Sequence, residues 1–284
     1  MKKILLIAAL FLSVSCSAQK NNALENVRYT PQDVENFKAV MELLQPMKDA
    51  PMSEMVIATA KHFLGTPYVS YTLEIEPEML TVNTRETDCI LFVEMCLAMS
   101  LTAKDDNPTF EKYCDNIRNL RYRNGVVNGY PSRLHYTSEW ILQGEARGIF
   151  NDISKDLGGS PLDQEFYYMS EHPDSYKQLK DDPGAIVRIM DAEDNLDSFE
   201  YWYLPKAELP ELIKGIKTGD IIGFNCATPG LDIAHVAYAY WEGDSLTFIH
   251  ASYGEKKVVI NKTPLIEYTN GIKGHNGLRV VRLK

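Results

Sequence analysis

The chain has 284 residues, 45% of them hydrophobic, and a formal net charge of −10 at pH 7. It is long and apolar enough to bury one large core, and its acidity argues against a nucleic-acid partner. Five cysteines spread over such a length do not make a disulfide scaffold.

The first twenty residues read MKKILLIAALFLSVSCSAQK. Lys2 and Lys3 precede an apolar stretch from Ile4 to Leu12 that is too short to span a bilayer, so residues 1–18 read as an export signal. Two processings stay open. Cys16 follows Ser13, Val14 and Ser15 as a lipid-modified cysteine would, although Leu12 stands four residues before it where three is usual; ordinary cleavage after Ala18 is the other. Either way the mature protein is expected outside the cytoplasm, periplasmic or anchored as a lipoprotein.

Residues 30–64 carry TPQDVENFKAVMELL and SEMVIATAKHFL, two amphipathic helical patterns. Thr30-Pro31 is a cap and first-turn pair, and Gly65 follows the last periodic residue. GTPYVSYTLE then leads through a turn into an extended piece. TDCILFVEMCLAMSL, residues 87–101, predicts a helix that is apolar nearly all round and therefore central. From Thr102 to about Lys214 the chain is mixed, with turn signals at Asn124-Gly125 and Asn128-Gly129. Short strand patterns follow: GDIIGFN, AHVAYAYWE, SLTFIHASY, KKVVINK and LRVVRL. Helices first and an antiparallel meander last imply an α+β fold with helices on one face of the sheet.

Cys89 opens the central helix, with Thr87 or Asp88 to cap it. Side chains lean toward a helix start, so this first residue is the one best placed to reach a surface cleft. Unpaired N–H groups and the positive dipole end there favour thiolate, the state in which a cysteine attacks. Cys96, farther along, reads as a core thiol, and a Cys114–Cys226 bond stays open. A thiol nucleophile needs a base, and the base an orienting group. With Gly243-Asp244 as a hairpin turn, facing residues place His235 and His250 on one face of the hairpin as diagonal neighbours. Ala237 and Ala239 share that face, and their small size is expected to admit the helix and bring Cys89 to His235. Asp232 lies three residues before His235, either near the cleft or in a turn. His62, His172 and His275 have no comparable context. No Cys or His pair stands at zinc-cluster spacing and HExxH is absent, so neither metal nor cofactor is expected.

TDCILFVE resembles the Asp-Cys helix start of the NlpC/p60 superfamily of cell-wall cysteine amidases. TGDIIGF is similar to its Gly-Asp strand, HVAYAYWEGDSLTFIHAS to its paired-histidine strands, and LGTPYV to its Pro-Tyr motif. Cys89 and His235 stand much farther apart than in compact members, which implies an insertion over about residues 105–214 of a single domain spanning 26–284. That length, with SRLHYTSEW, resembles the N-acetylmuramoyl-L-alanine amidase-like branch. The resemblance implies a papain-like core: a central buried helix packed on an antiparallel sheet, with N-terminal helices and the large insertion added.

It further implies Cys89 as nucleophile, His235 as general base and then acid, His250 as the orienting group, and the Tyr68 hydroxyl as an oxyanion donor. The implied reaction is hydrolysis of the bond between N-acetylmuramic acid and L-alanine in peptidoglycan fragments, 1,6-anhydro muropeptides among them. Two alternatives stay open: a γ-D-glutamyl-diamino acid endopeptidase of the same superfamily, and a non-catalytic muropeptide-binding lipoprotein. In the insertion, aromatic faces suit sugar rings and guanidinium groups suit stem-peptide carboxylates. Arg133 and His135 are the substrate-binding candidates there, with Asp232 as a third.

Overall fold

The computed structural model describes residues 24–284; the export signal and Cys16 lie outside the described residues. A two-residue strand β1 (Val27–Arg28) leads into helices α1 (Pro31–Leu44) and α2 (Met52–His62). The Asp33 carboxylate accepts the Thr30 N–H at 2.7 Å and, with its other oxygen, the Thr84 N–H at 2.8 Å. One buried acid thus closes the helix start and fastens it to the loop ahead of the central helix. Past α2 the chain turns at Gly65, whose φ of +89° suits glycine. β2 (Leu80–Thr81) pairs in parallel with β1.

Helix α3 (Cys89–Ala103) is buried along nearly its whole length, as its all-apolar sequence demands. Its polar residues are satisfied internally: Ser100 donates to the Cys96 carbonyl at 2.8 Å, and Glu94 accepts from Arg121 of α4 (Phe110–Arg121) at 2.8 Å. α5 (Thr137–Ala146), strands β3 (Phe150–Asp152) and β4 (Ser160–Leu162), helices α6 (Tyr168–Glu171) and α7 (Pro183–Leu196), strand β5 (Tyr201–Pro205) and helix α8 (Leu209–Leu212) follow. The meander comes last: β6 (Ile221–Cys226), β7 (Ile233–Glu242), β8 (Ser245–Ser252), β9 (Lys257–Ile260), α9 (Leu265–Gly271) and β10 (His275–Leu283).

The strands form one antiparallel sheet in the order β4-β5-β10-β6-β7-β8-β9, with β3 also on β10. The α+β class and all five C-terminal strands are thus recovered, but the helices do not keep to one face: α8 and α9 place Leu209 and Leu265 on the side away from α3. The middle of the chain does more than its mixed sequence suggested. Three of its strands continue the sheet beyond β10, and its helices close a separate apolar cluster around Tyr136, Phe166 and Leu196.

The sheet's two faces carry different cores. Val236, Tyr238, Ile249 and Ala251 face the α3 side with Phe92, Val93 and Leu97, and the Tyr238 hydroxyl donates to the Val93 carbonyl at 2.8 Å. Ala237 and Ala239 face the other way, packing with Phe224, Phe248, Leu265 and Leu278. The expected role of these two alanines is therefore corrected: they do not admit the helix, because strand alternation turns them to the opposite face.

Candidate active site

The start of helix α3 meets the sheet at β7, next to His235, where Val236 neighbours the Cys89 sulfur. The β7–β8 hairpin has the expected two-residue turn, and its partners run from Glu242–Ser245 to Tyr238–Ile249. There the ladder stops, although β7 begins at Ile233 and β8 continues to Ser252 on β9. Beyond the last pair the Val236 N–H lies near the Cys89 sulfur, where it favours the thiolate. This brings the thiol to the peptide unit that Val236 shares with His235. Asp88 caps the helix by accepting the Leu91 N–H at 2.9 Å, which leaves the amides of Cys89 and Ile90 at the sulfur.

His235 and His250 occupy one face, as their register requires, and His235 Nε2 lies 2.7 Å from His250 Nδ1 with the rings near-perpendicular at 83°. His250 is fully buried and its Nε2 has no hydrogen-bond partner. Asn261, which follows β9, is its diagonal neighbour: Val259 faces His250, and the Asn261 N–H donates to the Phe248 carbonyl at 2.8 Å. The Asn261 amide nitrogen is committed to the Thr263 carbonyl at 2.6 Å, and the side chain draws the His250 pKa upward.

Tyr68 is placed by backbone pairing rather than by a formal strand. Val69 N–H donates to the Thr87 carbonyl at 2.9 Å and Thr87 N–H to the Pro67 carbonyl at 3.0 Å, while Tyr68 N–H reaches the Lys256 carbonyl at 2.9 Å. The Pro-Tyr segment is thus strapped between the β8–β9 turn and the residue before the helix cap. Burial raises the Tyr68 hydroxyl pKa, and the neighbouring Cys89 sulfur adds to the rise.

The electrostatics depart from the thiolate expected of a helix start. Burial pushes the Cys89 thiol up to about 12, the Asp88 carboxylate adds to the rise, and the nearby amides offset only part of it. Burial likewise pulls His235 down to about 3, with His250 and His275 contributing, and His250 down to about 4. Phe248 stands 4.7 Å and Tyr268 6.1 Å from the His250 ring, and Phe224 5.6 Å from His235. This apolar cage makes charge on either imidazole costly. These shifts favour a neutral thiol and neutral imidazoles.

Arg133 and His135 line a cavity beside Asp88 and Tyr68. Arg133 is fully engaged: it donates to Glu74 at 2.8 Å, to Glu78 at 2.9 and 2.7 Å, and to the Leu73 carbonyl at 2.6 Å. His135 Nε2 is 2.9 Å from the Tyr130 carbonyl, and burial pulls its pKa down to about 3. Asp232 is 4% exposed and accepts the Ser138 N–H at 2.6 Å, capping α5 from outside that helix. All four described cysteines, Cys114 and Cys226 included, are free thiols.

Three neighbours of the site were not legible in the sequence. Tyr268, on the short α9, has its hydroxyl pKa raised by burial and then by the Cys89 sulfur. His275 lies close enough to His235 to lower its pKa. Asn261 becomes visible only when strand alternation is continued past the turn after Ser252.

A family model described as AmiA-like, N-acetylmuramoyl-L-alanine amidase-like, matches residues 58–275. The chain belongs to that family, a class of peptidoglycan amidase-like proteins. An N-acetylmuramoyl-L-alanine amidase from Bacteroides uniformis is 37% identical, with a TM-score of 0.77 over 82% of this chain and 99% of that one. A Bacteroides fragilis protein named as a proposed xylanase is 36% identical, with a TM-score of 0.74 over 80% of this chain and 100% of that one. Protein LPG0564 of Legionella pneumophila, at 20% identity and a TM-score of 0.65 over 89% of this chain and 97% of that one, shares the fold. No curated protein matches the chain.

Proposed function

We propose that the protein hydrolyses the bond between N-acetylmuramic acid and L-alanine in muropeptides through a Cys-His-His mechanism on a papain-like NlpC/p60 core. The observation that carries this reading is the 2.7 Å contact between His235 and His250 on the strand whose Val236 N–H lies near Cys89 at its helix start. With the neutral thiol and imidazoles favoured, proton transfer accompanies attack. His235 takes the thiol proton as sulfur adds to the lactyl carbonyl; the helix-start amides and the Tyr68 hydroxyl hold the oxyanion. The imidazolium then returns its proton to the departing L-alanine amine, and water, deprotonated by His235, releases the muramoyl acid. For this His235 must carry its resting proton on Nε2 and donate it to His250 Nδ1, which assigns the His250 proton to Nε2.

In this reading residues 26–284 are one catalytic domain, residues of about 105–214 are an insertion that walls the site, and the protein acts after export, anchored through Cys16 or released by cleavage after Ala18. The test is mass spectrometry of a digested disaccharide-peptide. Free disaccharide plus intact stem peptide supports the amidase; a disaccharide-dipeptide product means the stem endopeptidase instead; no cleavage, with retained binding, means the non-catalytic binder.

A further inference from the structure

Beside the nucleophile lies a cavity of about 340 Å³ that the proton chemistry does not use; Tyr68, Tyr71, Asp88, Glu94, Arg121 and His135 are in its wall. We infer that this cavity is the subsite for the neutral sugar ring on the acyl side of the scissile bond, and that Tyr71 is the platform on which the ring stacks. The inference rests on the amidase reading and deepens it.

Position comes first. His235 must face the departing amine, so the acyl half of the substrate lies on the other flank of the sulfur. That flank is Tyr68 and Asp88, the two residues that join the sulfur to the cavity.

Charge comes next. The two guanidinium groups in the wall are already paired. Arg121 donates to Glu94 at 2.8 Å and to the Thr81 carbonyl at 2.6 Å, and Arg133 is held by Glu74 and Glu78. A stem-peptide carboxylate would find no free cation there. His135 gives its Nε2–H to the Tyr130 carbonyl, so Nδ1 is left as a neutral acceptor. Paired ions and acceptors suit hydroxyl and acetamido donors.

The platform itself is built. Tyr71 is 81% exposed and holds a φ of +64°, a left-handed conformation that is strained for any residue with a side chain. Its loop is pinned from two sides: Arg133 binds the Leu73 carbonyl and Glu74, and Arg28 binds the Ile75 carbonyl at 2.9 Å and the Pro77 carbonyl at 2.5 Å. A strained, solvent-facing aromatic on a rigid loop is pre-organised to meet a flat apolar ligand face, which a pyranose ring offers. Arg133 is then a positioning residue for Tyr71.

Two substrates with the same scissile bond test this: a muramoyl-peptide, and a D-lactoyl-peptide that lacks the sugar. Tyr71→Ala should lower kcat/KM for the muramoyl-peptide about tenfold, chiefly through KM, leave the lactoyl-peptide unchanged, and be rescued by Tyr71→Trp. Equal losses on both substrates, or no loss on either, overturn the subsite while leaving the amidase standing. If the wild-type protein cleaves neither substrate, the amidase reading falls and takes the subsite with it. Unchanged lactoyl-peptide turnover also shows that the variant is folded.

Discussion

His235 and His250 touch at 2.7 Å just beyond the point where their strands cease to pair, after Tyr238 and Ile249. Past the last ladder pair this ring contact links β7 to β8, which are otherwise held by β6 and β9 on their outer sides. Replacing His235 by Ala should lower kcat by about a thousandfold or more, and His250→Ala by about ten- to a hundredfold with KM little changed. Asn261→Leu should reproduce part of the His250 loss by removing the side chain that favours protonation of His250. Steady-state hydrolysis of a defined muropeptide distinguishes the three.

The neutral resting pair has a pH signature. With the Cys89 thiol at about 12 and His235 at about 3, iodoacetamide labelling of Cys89 should accelerate roughly tenfold per pH unit from pH 6 to 9. A rate already level at pH 6 would mean that the thiolate is preformed. Cys96, fully buried, should stay unlabelled throughout.

Acid should unfold the protein partly through these rings. An unfolded chain protonates histidine near pH 6.5, whereas the folded chain holds His250 neutral down to about 4 and His235 and His135 down to about 3. Below 6.5 the unfolded state therefore binds more protons, and stability is lost as pH falls toward those values. For His250 alone the loss amounts to ~3 kcal/mol. The raised carboxyls of Asp88, Glu94 and Asp232 act in the opposite sense. The comparison is accordingly between wild type and His250→Gln: melting temperatures from pH 7 to 4 should fall less steeply in the variant.

Asp232 gives a clean separation of structure from chemistry. As a buried cap on the Ser138 N–H, its replacement by Ala should cost about 1–2 kcal/mol in chemical denaturation and leave KM within about twofold. A large rise in KM with unchanged stability would restore it to the substrate site.

What was legible in the sequence divides along physical lines. Alternation and a two-residue turn were enough to pair His235 with His250, because hairpin register is a local property. The buried helix was equally plain from its unbroken apolar run. Which face of the sheet the helix chooses was not. Ala237 and Ala239 looked like a docking floor, and the answer depended on where the β7–β8 ladder ends, which no local pattern encodes. The electrostatic setting of the histidines is hidden for a related reason: the helix-start amides beside Cys89 are visible in sequence, whereas the cage of Phe224, Phe248 and Tyr268 around the imidazoles is assembled from three distant segments. Arg133 was singled out for its charge, yet the Glu74 and Glu78 that consume that charge lie more than fifty residues away.

Strand β10 borrows the partners on its outer edge, β3 and β5, from the middle of the chain. A version trimmed of residues 105–214 would therefore be no minimal enzyme. It would bare the outer edge of β10, where five residues (Gly277, Leu278, Val281, Arg282 and Leu283) lose their partners, and an open strand edge recruits its own kind. Shortening this protein should yield aggregates before it yields a compact hydrolase.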